Sequence, residues 1–278
     1  MQSLEKRVGP FVGVLFILIL IYNSFVFLEF LNPFIHFDIQ SNKPNYTRTL
    51  GFEHIYVINL DYRIDRYKKM KVLGNFLDLD FDIIKAVSKY DSEALSRLNR
   101  SDLNVGAKAY YLSHYLTYEL IAENEYENAL ILEDAVDIEL NITDIMTEVH
   151  RYLPDDWDIL YLGHCADTQS QYFETDLTVH VLHKTGVPRC THGYAVSAKG
   201  VKKLLEKLDI DNPQYHIDQD LPSLIHQNEI ISYSVFPHII QFKGVSDLSD
   251  VSPGTLGETY HLMNSTLRFL GYNTNIYY

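Results

Sequence analysis

The chain has 278 residues, 46% of them hydrophobic, which suffices for one large or two small domains with an apolar core. Its 23 Lys and Arg residues against 37 Asp and Glu residues give a formal net charge of -14, which argues against a nucleic-acid-binding surface. With only Cys165 and Cys190, the chain is not a disulfide-rich scaffold and has no Cys-based zinc cluster, and the sequence leaves open whether the two cysteines pair.

The N-terminal segment is typical of a membrane anchor. Lys6 and Arg7 precede an apolar stretch whose length matches the ~20 residues of a membrane-spanning helix, and residues 8–31 are predicted to span the membrane. Positive charge before the span places residues 1–7 in the cytosol and the rest of the chain in the lumen. Residues 32–51 are predicted to be a lumenal stem, which leaves 52–278 as the globular domain.

Four acceptor sequons for N-glycosylation fit a lumenal chain. Each has the pattern Asn-X-Ser/Thr, which predicts a surface position in a secretory-pathway protein. The acceptor asparagines are Asn45, Asn99, Asn141 and Asn264.

From His54 onward the sequence alternates between strand and helix patterns. Asp61 is predicted to cap the first helix, and Gly106 to open a long one. The predicted strands are 54–60, 81–87, 129–132, 158–163, 179–182, 193–197 and 230–236. Further helices are predicted at 92–98, 198–208 and 218–227. Such alternation predicts an α/β fold of the Rossmann type, with a mainly parallel sheet and helices on both faces.

A cluster of acids follows the apolar run at 129–132. Glu133, Asp134, Asp137 and Glu139 come directly after this predicted strand, and ligands of parallel sheets bind beyond the carboxyl ends of the strands. Carboxylates there are suited to a divalent cation that also holds a phosphate. The alternative is that Asp134 or Asp137 caps a turn while the others are solvated.

Six blocks of the sequence, taken in order, are similar to one protein family. They are VINLDYRIDR at 57–66, GAKAYYLSHYLTYELI at 106–121, ALILEDAV at 129–136, THGYAVSAKGVKKLL at 191–205, HIDQDLPSLI at 216–225 and PHIIQFKGVSDLSD at 237–250. Together they resemble glycosyltransferase family 25. The resemblance implies a GT-A-like nucleotide-sugar fold, a divalent cation such as Mn²⁺, and transfer of a hexose with inversion. The implied donor is UDP-galactose, and the implied acceptor is a glycan or protein hydroxyl.

The resemblance also implies a set of nucleotide-sugar-binding residues, namely Asn59, Arg63, Arg66, Ser113, His114, Glu133, His192 and Gly193. Arginine suits forked phosphate contacts, and a glycine allows close approach of a ligand to the backbone. Several of them have a plainer alternative, and Asn59 would also suit the cap of a turn. Arg63 and Arg66 would also suit a solvated helix face, His114 a satisfied core position, and Gly193 a routine turn.

Two aspartates supply a candidate catalytic base. An acceptor hydroxyl must lose its proton as it attacks the anomeric carbon, and a positioned carboxylate can take that proton. Asp218 and Asp220 lie in the block at 216–225, and Asp218 matches the family pattern better. Asp218 would also serve as the cap of the helix that follows.

One departure from the family pattern divides the functional hypotheses. Where the family usually has Leu-Glu-Asp-Asp, this chain has Ala135 after Asp134, and alanine cannot hold a cation. Either Asp134 or Asp137 takes over the metal, another acid donates a ligand from elsewhere in the chain, or the protein no longer binds metal. Two classes stay open, both in the Golgi or endoplasmic-reticulum membrane: a single-pass lumenal hexosyltransferase, or an inactive relative that acts as a binding or adhesion module.

Overall fold

The computed structural model describes residues 47–165, 167, 171–172, 180–242 and 262–272. The strands in these residues are β1 (His54–Asn59), β2 (Asp82–Lys85), β3 (Asn128–Glu133), β4 (Val136–Ile138), β5 (Ile159–Gly163), β6 (Gln171–Tyr172), β7 (Val181–Lys184), β8 (Gly193–Ser197), β9 (Ser232–Phe236) and β10 (Ile240–Phe242). The α-helices are α1 (Ile64–Leu77), α2 (Ser92–Leu95), α3 (Val105–Glu123), α4 (Ile142–Tyr152), α5 (Ala198–Lys207), α6 (Ile217–His226) and α7 (Thr266–Phe269). Short 3-10 turns lie at Thr47–Thr49 and Ser96–Leu98.

Eight of these strands form the central sheet, in the order β2-β1-β3-β8-β5-β9-β7-β6. The pairings of β1 with β2, β1 with β3 and β5 with β9 are parallel, whereas β8 and β7 run antiparallel to their neighbours. Six of the eight strands therefore point the same way. The prediction of an α/β fold with a mostly parallel sheet is confirmed, and the two reversed strands are the departure from it.

Helices cover both faces of this sheet, as the alternation predicts. Successive residues of a strand point to opposite faces, and those of β1 enter two different apolar clusters. Ile55 and Val57 pack in one cluster with buried residues of α1 and α4. Tyr56 and Ile58 pack in the other with buried residues of α3, α5 and α6. A strand buried on both sides has no polar alternation, which explains the continuous apolar runs of β1 and β3.

A two-stranded ribbon continues the chain beyond β3. After the turn at Asp134 and Ala135, β4 pairs antiparallel with β10, with Val136 opposite Phe242. Strands β4 and β10 and helix α4 were not predicted from the sequence. The buried residues of α4, Ile142, Ile145, Met146 and Val149, have the i, i+3, i+4, i+7 spacing of an amphipathic helix, so this helix does have a signal in the sequence.

Several predicted helix starts are wrong by a few residues. Asp61 does not cap α1, whose N-cap is Arg63, and instead forms an ion pair of 2.7 Å with Lys85. Helix α3 starts at Val105 rather than Gly106, because Asn104 Oδ1 accepts a hydrogen bond of 2.9 Å from the backbone N–H of Ala107.

The N-terminal predictions fall mostly outside the described residues. The tail at 1–7, the anchor at 8–31, most of the stem at 32–51 and the sequon at Asn45 all lie there. Within the described residues, no helix is both long and apolar enough to cross a bilayer. At the end of the predicted stem, Leu50 is 3% exposed and belongs to the apolar core, so the packed domain begins before residue 52.

Candidate active site

An open cleft of about 100 Å³ lies at the carboxyl ends of β1 and β3. This is the edge at which a parallel sheet places its ligands. Residues from the loop after β1, from α1, from the loop after β2, from α3 and from the end of β3 line it. They include Leu60, Arg66, Lys89, Tyr110, Glu133 and Asp134.

Asp134 is held from two sides. Its Oδ2 accepts a hydrogen bond of 2.8 Å from Asn59 Nδ2, and its Oδ1 accepts one of 3.0 Å from Arg66 Nη1. Burial raises the pKa of Asp134, while the Arg66 charge and the Asn59 hydrogen bond oppose that rise. Three of the predicted site residues are therefore brought together, with the guanidinium of Arg66 as a fixed cation in the cleft wall.

Arg63 is placed differently from Arg66. It is the N-cap residue of α1, and its guanidinium donates to Asp65 at 3.1 and 2.9 Å. This contact lowers the pKa of Asp65 to about 2 through the hydrogen bond and the charge of Arg63. Arg66 rather than Arg63 lines the cleft. The predicted nucleotide-binding role of Arg63 stays a prediction.

Glu133 is the second acid of the cleft. Its Oε1 accepts hydrogen bonds from Tyr110 Oη at 2.8 Å and from Thr191 Oγ1 at 3.4 Å, and the two hydroxyls also contact each other. Burial raises the pKa of Glu133 to about 7, and the negative charges of Asp134 and Asp218 contribute to the rise. Glu133 therefore titrates close to neutral pH.

His114 and Ser113 form the back of the cleft on α3. His114 is fully buried; its Nδ1 lies 2.9 Å from Tyr194 Oη, and its Nε2 lies 3.5 Å from Thr191 Oγ1. Burial lowers the pKa of His114 to about 3, so the ring is neutral. Ser113 Oγ donates to Ala109 O at 2.7 Å. These contacts agree with the alternative that His114 is a core histidine whose hydrogen bonds are satisfied within the protein. A ligand-binding role for His114 and Ser113 stays a prediction.

His192 and Gly193 precede and open β8. His192 is 1% exposed and does not line the cleft, although its carbonyl accepts a hydrogen bond of 3.1 Å from the N–H of Glu133. A Cβ at Gly193 would lie 2.7 Å from Cγ2 of Ile240. The close approach that this glycine permits is thus to a side chain of β10. Direct contact of either residue with a nucleotide stays a prediction.

The two candidate bases occupy different surroundings on α6. Asp220 accepts a hydrogen bond of 3.0 Å from Tyr111 Oη, which fixes it against α3. Asp218 lines a second open groove together with Arg189 and His226. Burial raises the pKa of Asp218, and the nearby His216 and Arg189 oppose the rise. Because His216 is the N-cap of α6, the alternative of Asp218 as the cap is wrong.

Asp218 is also close enough to the main cleft to act on its acids. Its negative charge raises the pKa of both Glu133 and Tyr110. Asp218 therefore lines the groove of Arg189 and acts through its charge on Glu133, which lines the main cleft with Arg66.

Asp137, the second predicted metal ligand, is engaged in the packing of the chain. Its Oδ1 accepts from the N–H groups of Ile138 at 2.8 Å and Leu267 at 3.0 Å, and Ser265 Oγ donates to its Oδ2. Leu267 belongs to α7, so Asp137 ties the start of that helix to β4. This arrangement fits a structural carboxylate.

The acids around Ala135 do not fit a divalent cation as they are arranged. Both oxygens of Asp134 and both of Asp137 already accept hydrogen bonds. Among the residues that the structure describes, one group of three potential metal ligands converges, and it consists of Cys165, Cys190 and His192. Its sulfur and nitrogen atoms differ from the oxygen ligands that a hard cation prefers. Metal binding by Asp134 and Asp137 stays a prediction that this geometry does not favour.

Several site residues were not found in the sequence analysis. Tyr110 and Thr191 hold Glu133, Lys89 adds a cation to the cleft, and Arg189 faces Asp218. Tyr110 is inside the matched block on α3, one turn before His114. A helical-spacing argument of i and i+4 could have identified it.

Two remaining sequence predictions concern the surface. Asn99, Asn141 and Asn264 are exposed, as an acceptor asparagine must be, and their glycosylation stays a prediction. Cys165 and Cys190, which the sequence left open, form a disulfide.

Comparison with known proteins agrees with the family resemblance of the six sequence blocks. A family model described as Glycosyltransferase family 25 (LPS biosynthesis protein) matches residues 52–219. Procollagen galactosyltransferase 1-B of Xenopus laevis is 26% identical over 205 residues, which cover 66% of this chain and 33% of that protein. Glycosyltransferase 25 family member of Aedes aegypti is 28% identical over 205 residues, which cover 65% and 32%.

A relative described as probable inactive glycosyltransferase 25 family member 3, from Bos taurus, is 24% identical over 222 residues, which cover 72% of this chain and 37% of that protein. The chain thus spans about a third of the length of the curated relatives it matches. The family model covers well over half of this chain, and its range includes the cleft, Glu133, Asp134 and Asp218. The chain belongs to glycosyltransferase family 25.

Proposed function

We propose that the chain is a UDP-sugar-dependent hexosyltransferase that moves galactose from UDP-galactose to a hydroxyl of a glycan or protein, with inversion. The observation that carries this proposal is Asp218, which lines the second groove and whose negative charge raises the pKa of Glu133 in the main cleft. The donor occupies the cleft at Arg66 and Glu133, and the acceptor enters from the groove at Arg189.

In the proposed reaction, Asp218 accepts the proton of the acceptor hydroxyl. The oxygen forms a bond to the anomeric carbon on the face opposite the diphosphate. The bond from that carbon to the diphosphate oxygen breaks, and its electron pair leaves with UDP. Burial raises the pKa of Asp218, which makes this carboxylate a stronger base than an exposed one. Asp220 is the weaker candidate because Tyr111 occupies one of its oxygens.

Cationic side chains stabilise the leaving diphosphate in this proposal. Arg66 is held rigidly by Asp134, and Lys89 lines the same cleft. A fixed guanidinium stabilises developing charge without the cost of reorganising in the transition state. A divalent cation such as Mn²⁺ remains an expectation from the family, and no step here depends on it.

The alternative is an inactive member that serves as a lumenal binding module. The observation in its favour is the commitment of Asp134 to Arg66 and Asn59, together with alanine at position 135. One relative is described as probable inactive, so the two functions should be compared directly by experiment.

Calorimetry with UDP-galactose and UDP, with Mn²⁺ or with EDTA, separates the two functions. An active enzyme binds both ligands and slowly hydrolyses UDP-galactose when no acceptor is present, and it releases UDP at a measurable rate. Absence of UDP binding in both buffers would retire the transferase proposal. Binding without any turnover of UDP-galactose, or of UDP-glucose as a second donor, would favour the binding module.

We also propose a single-pass type II topology in the Golgi or endoplasmic-reticulum membrane, through the predicted anchor at residues 8–31. The exposed Asn99, Asn141 and Asn264 support a lumenal domain. Endoglycosidase treatment of the protein from cells should increase its gel mobility. A C-terminal tag digested by protease in sealed microsomes would contradict this topology.

A further inference from the structure

The loop between β7 and β8, residues 185–192, borders both the main cleft and the second groove. Arg189 in this loop is exposed and lines the second groove together with Asp218. Two positions later, Thr191 is fully buried, and its Oγ1 donates to Glu133 Oε1 at 3.4 Å in the wall of the main cleft. One short loop therefore contributes to both surfaces.

Cys190 lies between these two residues and turns the chain. Its φ of 64° is in the left-handed region, which residues other than glycine rarely occupy. Such a conformation persists where the surrounding structure holds it. Cys190 forms a disulfide with Cys165, which comes two residues after the end of β5. The disulfide is thus placed to hold this turn.

Backbone hydrogen bonds fasten the same loop on two sides. Toward β5, the N–H of Cys165 donates to the carbonyl of Arg189 at 2.8 Å. Toward β3, the N–H of Glu133 donates to the carbonyl of His192 at 3.1 Å. Because β8 lies between β3 and β5 and runs antiparallel to both, the loop before it lies at the carboxyl ends of these two strands.

The sheet itself does not depend on the disulfide. Strands β5 and β8 pair along their length, and the last pair, Gly163 opposite Gly193, comes just before the two cysteines. The disulfide therefore orders the loop beyond the paired strands.

The contact between Thr191 and Glu133 affects only one of the two carboxylate oxygens. Oε1 of Glu133 accepts hydrogen bonds from Thr191 and, at 2.8 Å, from Tyr110 Oη. Among the residues that the structure describes, no hydrogen bond is made to Oε2. Two hydroxyls thus orient the carboxylate and leave Oε2 as an acceptor for a hydroxyl of a ligand in the cleft.

We infer that the Cys165–Cys190 disulfide is a positioning element for the proposed transfer. It holds Thr191 against Glu133 in the main cleft and keeps Arg189 at the second groove. The inference rests on the proposed function, because that function assigns the two surfaces to donor and acceptor. Thr191 acts through Glu133 and is therefore a positioning residue as well.

Hydrogen exchange tests the positioning without any substrate. The full chain is compared with the Cys165→Ser/Cys190→Ser variant, and single amides are followed by mass spectrometry with fragmentation. The amide of Glu133, which is bonded to the loop, should exchange at least about 10-fold faster in the variant, while that of Leu130 inside β3 should not change. Reduction of the folded wild-type chain with dithiothreitol gives the same comparison without a substitution.

Variants of Thr191 test the link to Glu133. Thr191→Val removes the hydroxyl and should lower turnover of UDP-galactose by roughly 10-fold or more, since a misplacement of about 1 Å can cost roughly 10²-fold. The affinity for UDP should change by less than about 2-fold, and Thr191→Ser should restore turnover. Thr117→Val is the matched control, because Thr117 is also buried and its hydroxyl donates to the carbonyl of Ser113 at 2.8 Å.

Equal exchange of the Glu133 amide with and without the disulfide would overturn the inference. A rise of the same size at Leu130 would overturn it too, because it would show a general loss of stability. Turnover at the wild-type rate in Thr191→Val would remove the link to Glu133. A wild-type chain without turnover would refute the proposed function, and the exchange result would then decide on the disulfide alone.

Discussion

Asn59 Nδ2 donates a hydrogen bond of 2.8 Å to Oδ2 of Asp134, and this bond joins the carboxyl ends of two neighbouring parallel strands. Arg66 takes the other oxygen of the same carboxylate at 3.0 Å. An acid that the sequence suggested for a metal therefore positions a cation of the protein itself.

Arg66→Met should lower the free energy of unfolding by about 3 kcal/mol, because it leaves the buried Asp134 charge without its cation. Side-chain exposure is 7% for Arg66 and 8% for Asp134. Urea denaturation at pH 7 measures the effect. Arg63→Met is the control, since its partner Asp65 is 56% exposed and such a pair contributes less than about 1 kcal/mol. Equal losses in both variants would contradict this account.

Glu133 should make stability depend on pH. Its folded-state pKa of about 7 lies above the unfolded value of 4.5, so the folded state retains a proton that the unfolded state has lost. Stability therefore falls as pH rises from 4.5 to 7 and is flat above. The full shift corresponds to about 3 kcal/mol, and partial exposure to the cleft reduces this to about 1–2 kcal/mol. Denaturation at pH 5 and 8 should show that extra loss in the wild type and not in Glu133→Gln.

Asp137→Ala should destabilise the fold by about 2–3 kcal/mol, because two backbone N–H groups and one hydroxyl lose their acceptor. Exposed Asp144, in the first turn of α4, is the control, and Asp144→Ala should cost less than about 1 kcal/mol. Thermal melting compares the two. A stable Asp137→Ala protein that loses Mn²⁺-dependent UDP binding would instead restore the metal-ligand hypothesis.

Ala135→Asp tests the residue that departs from the family pattern. Ala135 is 1% exposed and follows Asp134, so the new carboxylate would be buried beside an existing one. We expect a loss of about 2–4 kcal/mol and no gain in Mn²⁺-dependent UDP binding. Ala135→Asn, which is close in size and uncharged, separates the effect of charge from that of volume. A gain of metal binding and of turnover over an inert parent would support the binding-module alternative for the natural chain.

Asp218→Asn should reduce turnover by roughly 10²-fold or more with little change in UDP affinity, as for loss of a general base. Asp220→Asn is the matched variant from the same helix, and it should have the smaller effect on turnover. Product formation from UDP-galactose, with calorimetry for UDP, gives both quantities. A reversed order of the two variants would assign the base to Asp220.

The sequence predicted the parts of this fold that carry a strong local signal. β1 and β3 have continuous apolar runs, and α3 has leucines at i, i+4 and i+8, so each was found within a few residues. The ribbon of β4 and β10 was not found, because β4 has three residues and its partner lies more than a hundred positions later. Pairings of that kind leave no periodic pattern to detect. Helix α4 was also missed, although its buried residues follow helical spacing.

In the candidate site, too, local motifs could be predicted from the sequence and long-range contacts could not. The motif blocks located Asn59, Arg66, Glu133 and Asp134 at one strand edge, which strand order alone makes plausible. The partners of each carboxylate depended on tertiary contacts. Arg66 and Asp134 are 68 positions apart, and Asp137 and Ser265 are 128 apart. The spacing of these residues in the sequence therefore could not decide whether a carboxylate binds a metal or holds the fold together.

The position of β9 between β5 and β7 has a practical consequence for fragments of this protein. A fragment cut at the end of the matched range, residue 219, would lack a strand from inside the sheet and would end within α6. The two strands left beside the gap would present unpaired backbone edges, which promote aggregation. Such a fragment would also lose α7, the partner of Asp137. A protein made for the measurements above should therefore extend at least to Tyr272.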